Sequence, residues 1–150
     1  TTYAETVRIP ILEEMGKKFL EKIGYYGLAE VEFMFDPRDQ KYKILEVNAR
    51  VWGWHTLAIG AGIDMPYLLF QDMMGQSIEA ALSAKDVKWI RLITDVPTVT
   101  TELIKGRMSL KEYLRSLKGK KEFAVLSLDD PLPFIAEFLM IPYLWLKRGF

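Results

Sequence analysis

From Glu30 to Phe35 acidic and apolar residues alternate, which predicts a strand with Glu30, Glu32 and Met34 on one face and Val31, Phe33 and Phe35 on the other. Asp36 to Asp39, with Pro37 between them, supply a turn, and alternation resumes from Tyr42 to Arg50. In that second strand Ile44, Glu46, Asn48 and Arg50 share a face against Leu45, Val47 and Ala49. The pattern is a hairpin with carboxylates where core residues would fit, and Glu32 falls roughly opposite Glu46.

Helical spacing surrounds it. Leu12, Met15, Phe19, Leu20 and Ile23 recur along residues 10–23, with Pro10 at the start and Gly24 just beyond the end, so an amphipathic helix is expected to pack on the hairpin. Thr56 to Ala61 reads as a short helix, and Asp64 as the N-cap of another running to Met74 and closed by Gly75. Val87 to Thr94 reads as a strand, with Asp95 capping a helix over about Pro97 to Lys105. Ser109-Leu110-Lys111-Glu112 is a capping box for a helix to about Leu117, Glu122 to Leu128 reads as a strand, and Asp130-Pro131 opens a last helix. The fold class is α+β, an antiparallel sheet flanked by helices in a single domain over residues 1–150.

Composition narrows the function classes. Twenty Lys and Arg balance twenty Asp and Glu, so no basic stripe calls for nucleic acid. The chain has no cysteine, which excludes disulfides, thiolate nucleophiles and zinc–sulfur sites and fits a cytoplasmic location. The single histidine, His55, rules out a metal cluster built on several histidines; among Trp52 and Trp54 it suits a hydrogen-bonded structural role better than that of a general base. No glycine-rich phosphate loop occurs, and no hydrolytic triad can be assembled.

The chemistry therefore rests on the hairpin. Two carboxylates side by side repel unless a cation sits between them, and magnesium takes one or two carboxylates, leaving its other positions to water and phosphates. Asn48 adds a neutral oxygen, and Arg50 a planar fork for phosphate or carboxylate. The same alternation also suits a solvated face whose acids pair with Lys41 and Lys43.

Val31-Glu32-Phe33, the turn, and Leu45-Glu46-Val47-Asn48-Ala49-Arg50 resemble the metal-binding hairpin of the ATP-grasp superfamily, with Gly24-Tyr25-Tyr26-Gly27 before it and Gly60-Ala61-Gly62-Ile63-Asp64 after it. The resemblance implies that Glu32, Glu46 and Asn48 hold magnesium, or manganese in its place, against the phosphates of ATP. It also implies that Arg50 contacts phosphate or an acyl-phosphate intermediate and that Met34 packs on adenine. Biotin carboxylases place a glutamate before the following histidine, where this chain has Trp54; Arg50-Val51-Trp52-Gly53 is more similar to the carbamoyl-phosphate-synthase-like or carboxylate-amine ligase group.

By this resemblance residues 5–75 form the larger, metal-bearing C-terminal lobe, with residues 85–150 an extension packed on it. The glycine-rich lobe would precede residue 1, so the chain is expected to be part of a longer protein and inactive alone. The implied activity is an ATP-dependent ligase that activates a small carboxylate and joins it to an amine. A non-catalytic interaction domain on the same scaffold is the alternative, and a metal-dependent phosphohydrolase ranks last. Packing against the missing lobe, or a homo-oligomer, is expected.

Pro131 to Leu146 holds one charge, Glu137, and ends in Lys147 and Arg148. Three prolines and its length argue against a bilayer span, leaving three readings open: a buried helix, which is favoured, a protein contact, and a segment on a membrane surface.

Overall fold

The computed structural model describes residues 1–79 and 86–148, without the side chains of Leu144, Trp145 and Arg148. In chain order its elements are β1 (Tyr3–Glu5), α1 (Pro10–Lys22), β2 (Glu30–Asp36), β3 (Lys41–Asn48), α2 (Thr56–Gly60), α3 (Met65–Met73), β4 (Val87–Ile90), α4 (Leu92–Ile104), α5 (Leu110–Ser116), β5 (Lys120–Phe123), α6 (Leu132–Leu139) and α7 (Ile141–Arg148). The class is α+β, as the patterning predicts. The chain divides into two compact units, Thr6–Lys85 and Thr1–Glu5 with Asp86–Phe150.

In the first unit β2 and β3 pair antiparallel. Helix α1 turns Leu12, Met15 and Phe19 inward and leaves Lys17–Glu21 and Lys18–Glu14 ion pairs on its outer face. It approaches the apolar face of the hairpin closely, because Gly16 is buried and a Cβ there would lie 3.8 Å from the Phe33 ring. The tip is fastened by Asp36, 7% exposed, which accepts hydrogen bonds from the Arg38 amide and guanidinium and from Lys43 Nζ. Those donors hold its carboxyl well below the usual carboxylate range. Helix α3 begins where Asp64 accepts the Tyr67 amide and ends before Gly75, whose φ of 72° is left-handed.

One detail departs from simple alternation. Glu32 faces Glu46 while Phe33 faces Ile44, so Leu45 is an extra residue in β3, a bulge. Ile44, expected beside Glu46, therefore joins Phe33 and Tyr42 on the apolar face and is half-buried; Leu45, expected inside, is 54% exposed. Keeping Ile44 inside and the carboxylates outside requires that extra residue, since the side-chain period of a strand is two. Strand β3 also stops at Asn48, so Arg50 lies beyond it in a bend.

The second unit is built on a three-stranded sheet, order β1-β4-β5, antiparallel between β1 and β4 and parallel between β4 and β5. Strand β1 is too short to register as alternation and was not anticipated. Central β4 is buried through Val87, Trp89 and Ile90.

Helix α4 starts at Leu92, five residues before the expected start, and the predicted strand ends at Ile90. Arg91 donates its amide to Thr2 to close the sheet, and its carbonyl then accepts the Thr94 and Asp95 amides, opening the helix. Leu92, Ile93 and Thr94 imitate a strand; further along, where helix was expected, the hydroxyls of Thr98, Thr100 and Thr101 bond back to carbonyls one turn earlier. Asp95, expected as a cap, is buried inside α4 and accepts the Tyr113 hydroxyl at 2.8 Å. Burial and that bond push Tyr113 up to about 12.

Strand β5 ends at Phe123 rather than running to Leu128, because β4 offers four ladder positions and the Ala124 amide takes the Ile90 carbonyl beyond them. The last helix is two helices, broken at Met140, with Pro142, which has no amide to donate, in the first turn of the second. Burial of this segment is also overturned: Leu132, Phe138, Leu139 and Leu146 are 61–80% exposed. Among the described residues of α6, Phe134 and Glu137 turn inward, to a hollow lined by Ile90, Arg91 and Phe123, where Glu137 pairs with Arg91.

The capping box of α5 forms as expected, with Ser109 Oγ accepting the Glu112 amide and the Glu112 carboxylate accepting the Ser109 amide. Ser109→Ala should cost about 1 kcal/mol, read as a lower urea midpoint at unchanged slope.

Candidate metal and phosphate site

Strand pairing brings the predicted acids together. Glu32 stands directly opposite Glu46 and Glu30 opposite Asn48, all on the face of the hairpin away from Phe33. The bulge lies immediately beyond the Glu32–Glu46 pair, the kind of place where a bulge re-aims side chains.

Asn48 is the hub. Its Nδ2 lies 2.7 Å from Glu46 Oε1, 3.3 Å from Glu30 Oε2 and 3.5 Å from Glu32 Oε1. A group carrying partial positive charge thus points at three carboxylates. Its Oδ1 faces Arg50, which donates to it at 3.4 Å and to the Val51 carbonyl at 3.2 Å. Although Arg50 has left the strand, its guanidinium still adjoins the cluster. Met34 sits two residues along the same face of β2, 54% exposed and opposite Lys43.

The cluster is electrostatically strained. Burial and the negative charges of Glu46 and Glu30 push the Glu32 carboxyl above its ordinary range, and Arg50 offsets only part of this. A cation would relieve that repulsion. Among the described residues no three His, Cys, Asp or Glu side chains form a ready-made cage. Two carboxylates and an amide oxygen fit magnesium, which keeps water and phosphate in its remaining positions. A half-turn of the Asn48 amide exchanges its donor for the oxygen such an ion needs.

Glu30 was assigned no role from sequence, yet the structure places it on Asn48. The signal was present, since alternation puts Glu30 and Glu32 on one face. His55 forms part of the turn: its Nδ1 lies 2.9 Å from the Trp52 carbonyl. Trp52 and Trp54 meet at 5.6 Å between ring centroids, and the Trp52 indole N–H is buried with no acceptor among the described residues.

Residues 5–80, just over half of the chain, match the family of the carbamoyl-phosphate synthase L chain, ATP binding domain. A D-aspartate ligase of Enterococcus faecium (strain Aus0004) is 53% identical over 34 residues, which are 23% of this chain and 8% of that protein. The chain thus spans a small part of the length of this relative.

Because the Glu32 pKa is raised in the folded chain, its ionisation opposes folding above that pKa, and the penalty disappears below the unfolded value of about 4.3. Glu32→Gln should therefore raise the thermal midpoint of the magnesium-free chain at neutral pH. The gain should vanish below about pH 4.

Proposed function

The chain belongs to the ATP-grasp superfamily, in the carbamoyl-phosphate synthase L chain ATP-binding family, and from that premise we propose that it is the metal-bearing lobe of an ATP-dependent carboxylate-amine ligase. The observation that carries the reading is the convergence of Glu30, Glu32, Glu46 and Arg50 on Asn48 within a family that binds ATP. The ligase-named relative supports the reaction class.

In this proposal Glu32, Glu46 and Asn48 hold magnesium. The ion, when bound, supplies neutralisation of phosphate charge. The chain's own residues then divide the work. Arg50, which donates to the Asn48 Oδ1 and the Val51 carbonyl, presents its fork to the transferred phosphoryl group or the acyl phosphate. Met34 offers an exposed apolar surface for adenine. A substrate carboxylate attacks the γ-phosphorus and ADP leaves; an amine then attacks the acyl carbon, phosphate leaves, and the amine proton is lost as the amide-type bond forms. The glycine-rich lobe completing the nucleotide site is assigned to sequence outside this chain, and cytoplasmic ATP is its supply.

The exposed apolar side chains of α6 favour a second reading, an interaction domain that keeps the scaffold without turnover.

Calorimetric titration with ATP should give magnesium-dependent binding that disappears with chelator and weakens by at least about tenfold in Glu46→Ala. Binding equal with and without chelator, or unchanged in the variant, would remove Glu46 from the metal role.

A further inference from the structure

We propose that α6 and α7 dock the chain on the surface of an anionic lipid bilayer. Leu132, Ile135, Phe138 and Leu139 on α6 and Tyr143 and Leu146 on α7 are all 47–80% exposed, large apolar side chains that the described residues of their own unit leave uncovered. The opposite side of α6 is spent on attachment, through Phe134 and Glu137.

Charge selects the occupant. Glu137 is the only acid in residues 131–148, and it is turned inward, its side chain 15% exposed and paired with Arg91. Among the described side chains, what faces outward is apolar surface without negative charge that reaches the exposed Lys147, and Arg148 follows it in sequence. Two copies packed face to face through it would bring no acid from this segment to those cations. A protein partner's interface normally carries about ten hydrogen bonds around its apolar centre. Here, among the described residues, the outward side chains of α6 and α7 that can donate or accept are few, chiefly Tyr143 and Lys147. A bilayer asks for none at its acyl layer and supplies phosphates at its rim.

The arrangement of the basic end fits that rim. Lys147 Nζ lies 3.3 Å from the Tyr143 hydroxyl and 5.6 Å from its ring centroid, so an aromatic and an ammonium share one level, and Trp145 stands between them in sequence. Each helix has eight residues, roughly 12 Å of rise against a hydrocarbon layer of about 30 Å. Among the described residues no helix is long and apolar enough to cross a membrane. Two short helices separated by the break at Met140 suit lying along the surface rather than crossing it.

Co-sedimentation of the whole chain with vesicles of phosphatidylcholine containing roughly one third phosphatidylglycerol tests this. The chain should pellet with them, release as salt rises, and partition roughly thirtyfold more weakly into pure phosphatidylcholine, the contribution of two cations. Ile135→Glu with Phe138→Glu, both exposed, should abolish pelleting while leaving circular dichroism and the thermal midpoint unchanged. Lys147→Glu with Arg148→Glu should remove the preference for anionic lipid. Failure to pellet with either vesicle, equal partitioning into both, or pelleting that survives the Ile135–Phe138 pair would overturn the proposal. So would a concentration-dependent dimer that forms without vesicle binding and is lost in that pair, which would assign the face to a second copy.

Discussion

Three carboxylates held against one amide nitrogen are the constraint on which the hairpin unit depends. Glu30, Glu32 and Glu46 all reach toward Asn48 Nδ2, and the arrangement exists because cross-strand register sets Glu32 against Glu46 and Glu30 against Asn48. Like charges this near, partly out of water, destabilise the fold that holds them, as the raised Glu32 pKa records. The scaffold compensates elsewhere. Phe33 packs on Gly16, and Asp36 gathers Arg38 and Lys43 at the hairpin tip, so the strands stay paired despite the repulsion between them.

The bulge at Leu45 joins those two demands. Without it Ile44 would stand on the carboxylate face and the apolar face would lose a contact; with it, acids gather at one end of the sheet face and apolar residues fill the other side. The second unit solves a different problem. Its buried β4 anchors β1, β5 and the start of α4, while the Arg91–Glu137 pair fastens α6 and removes the one acid of the C-terminal segment from the outward surface. Local attachment and outward chemistry thus come from opposite sides of the same helix.

Much of this was legible from spacing. The α1 stripe, the Asp64 cap, the capping box at Ser109 and the Glu32–Glu46 opposition are local, encoded in residues a few positions apart, and they appear as expected. What was not legible depended on partners distant in sequence. A bulge leaves no mark in simple alternation, so the faces of Ile44 and Leu45 were exchanged. The Leu92-Ile93-Thr94 start of α4 looks like a strand until the Arg91 carbonyl commits it to a helix, and the length of β5 is set by the four residues of β4. At the site, period two already aligned Glu30 with Glu32, but only the fold brings Glu30 to the amide of Asn48.

The central claim is that a divalent cation belongs among these side chains, and manganese, which accepts the same oxygen ligands as magnesium, makes its position visible. In a nitrogen-15 correlation spectrum of the chain, substoichiometric manganese should broaden first the Asn48 side-chain amide and the backbone amides of 30–32 and 46–48, and excess magnesium should restore them. Broadening centred elsewhere, or none at those positions, would contradict the account.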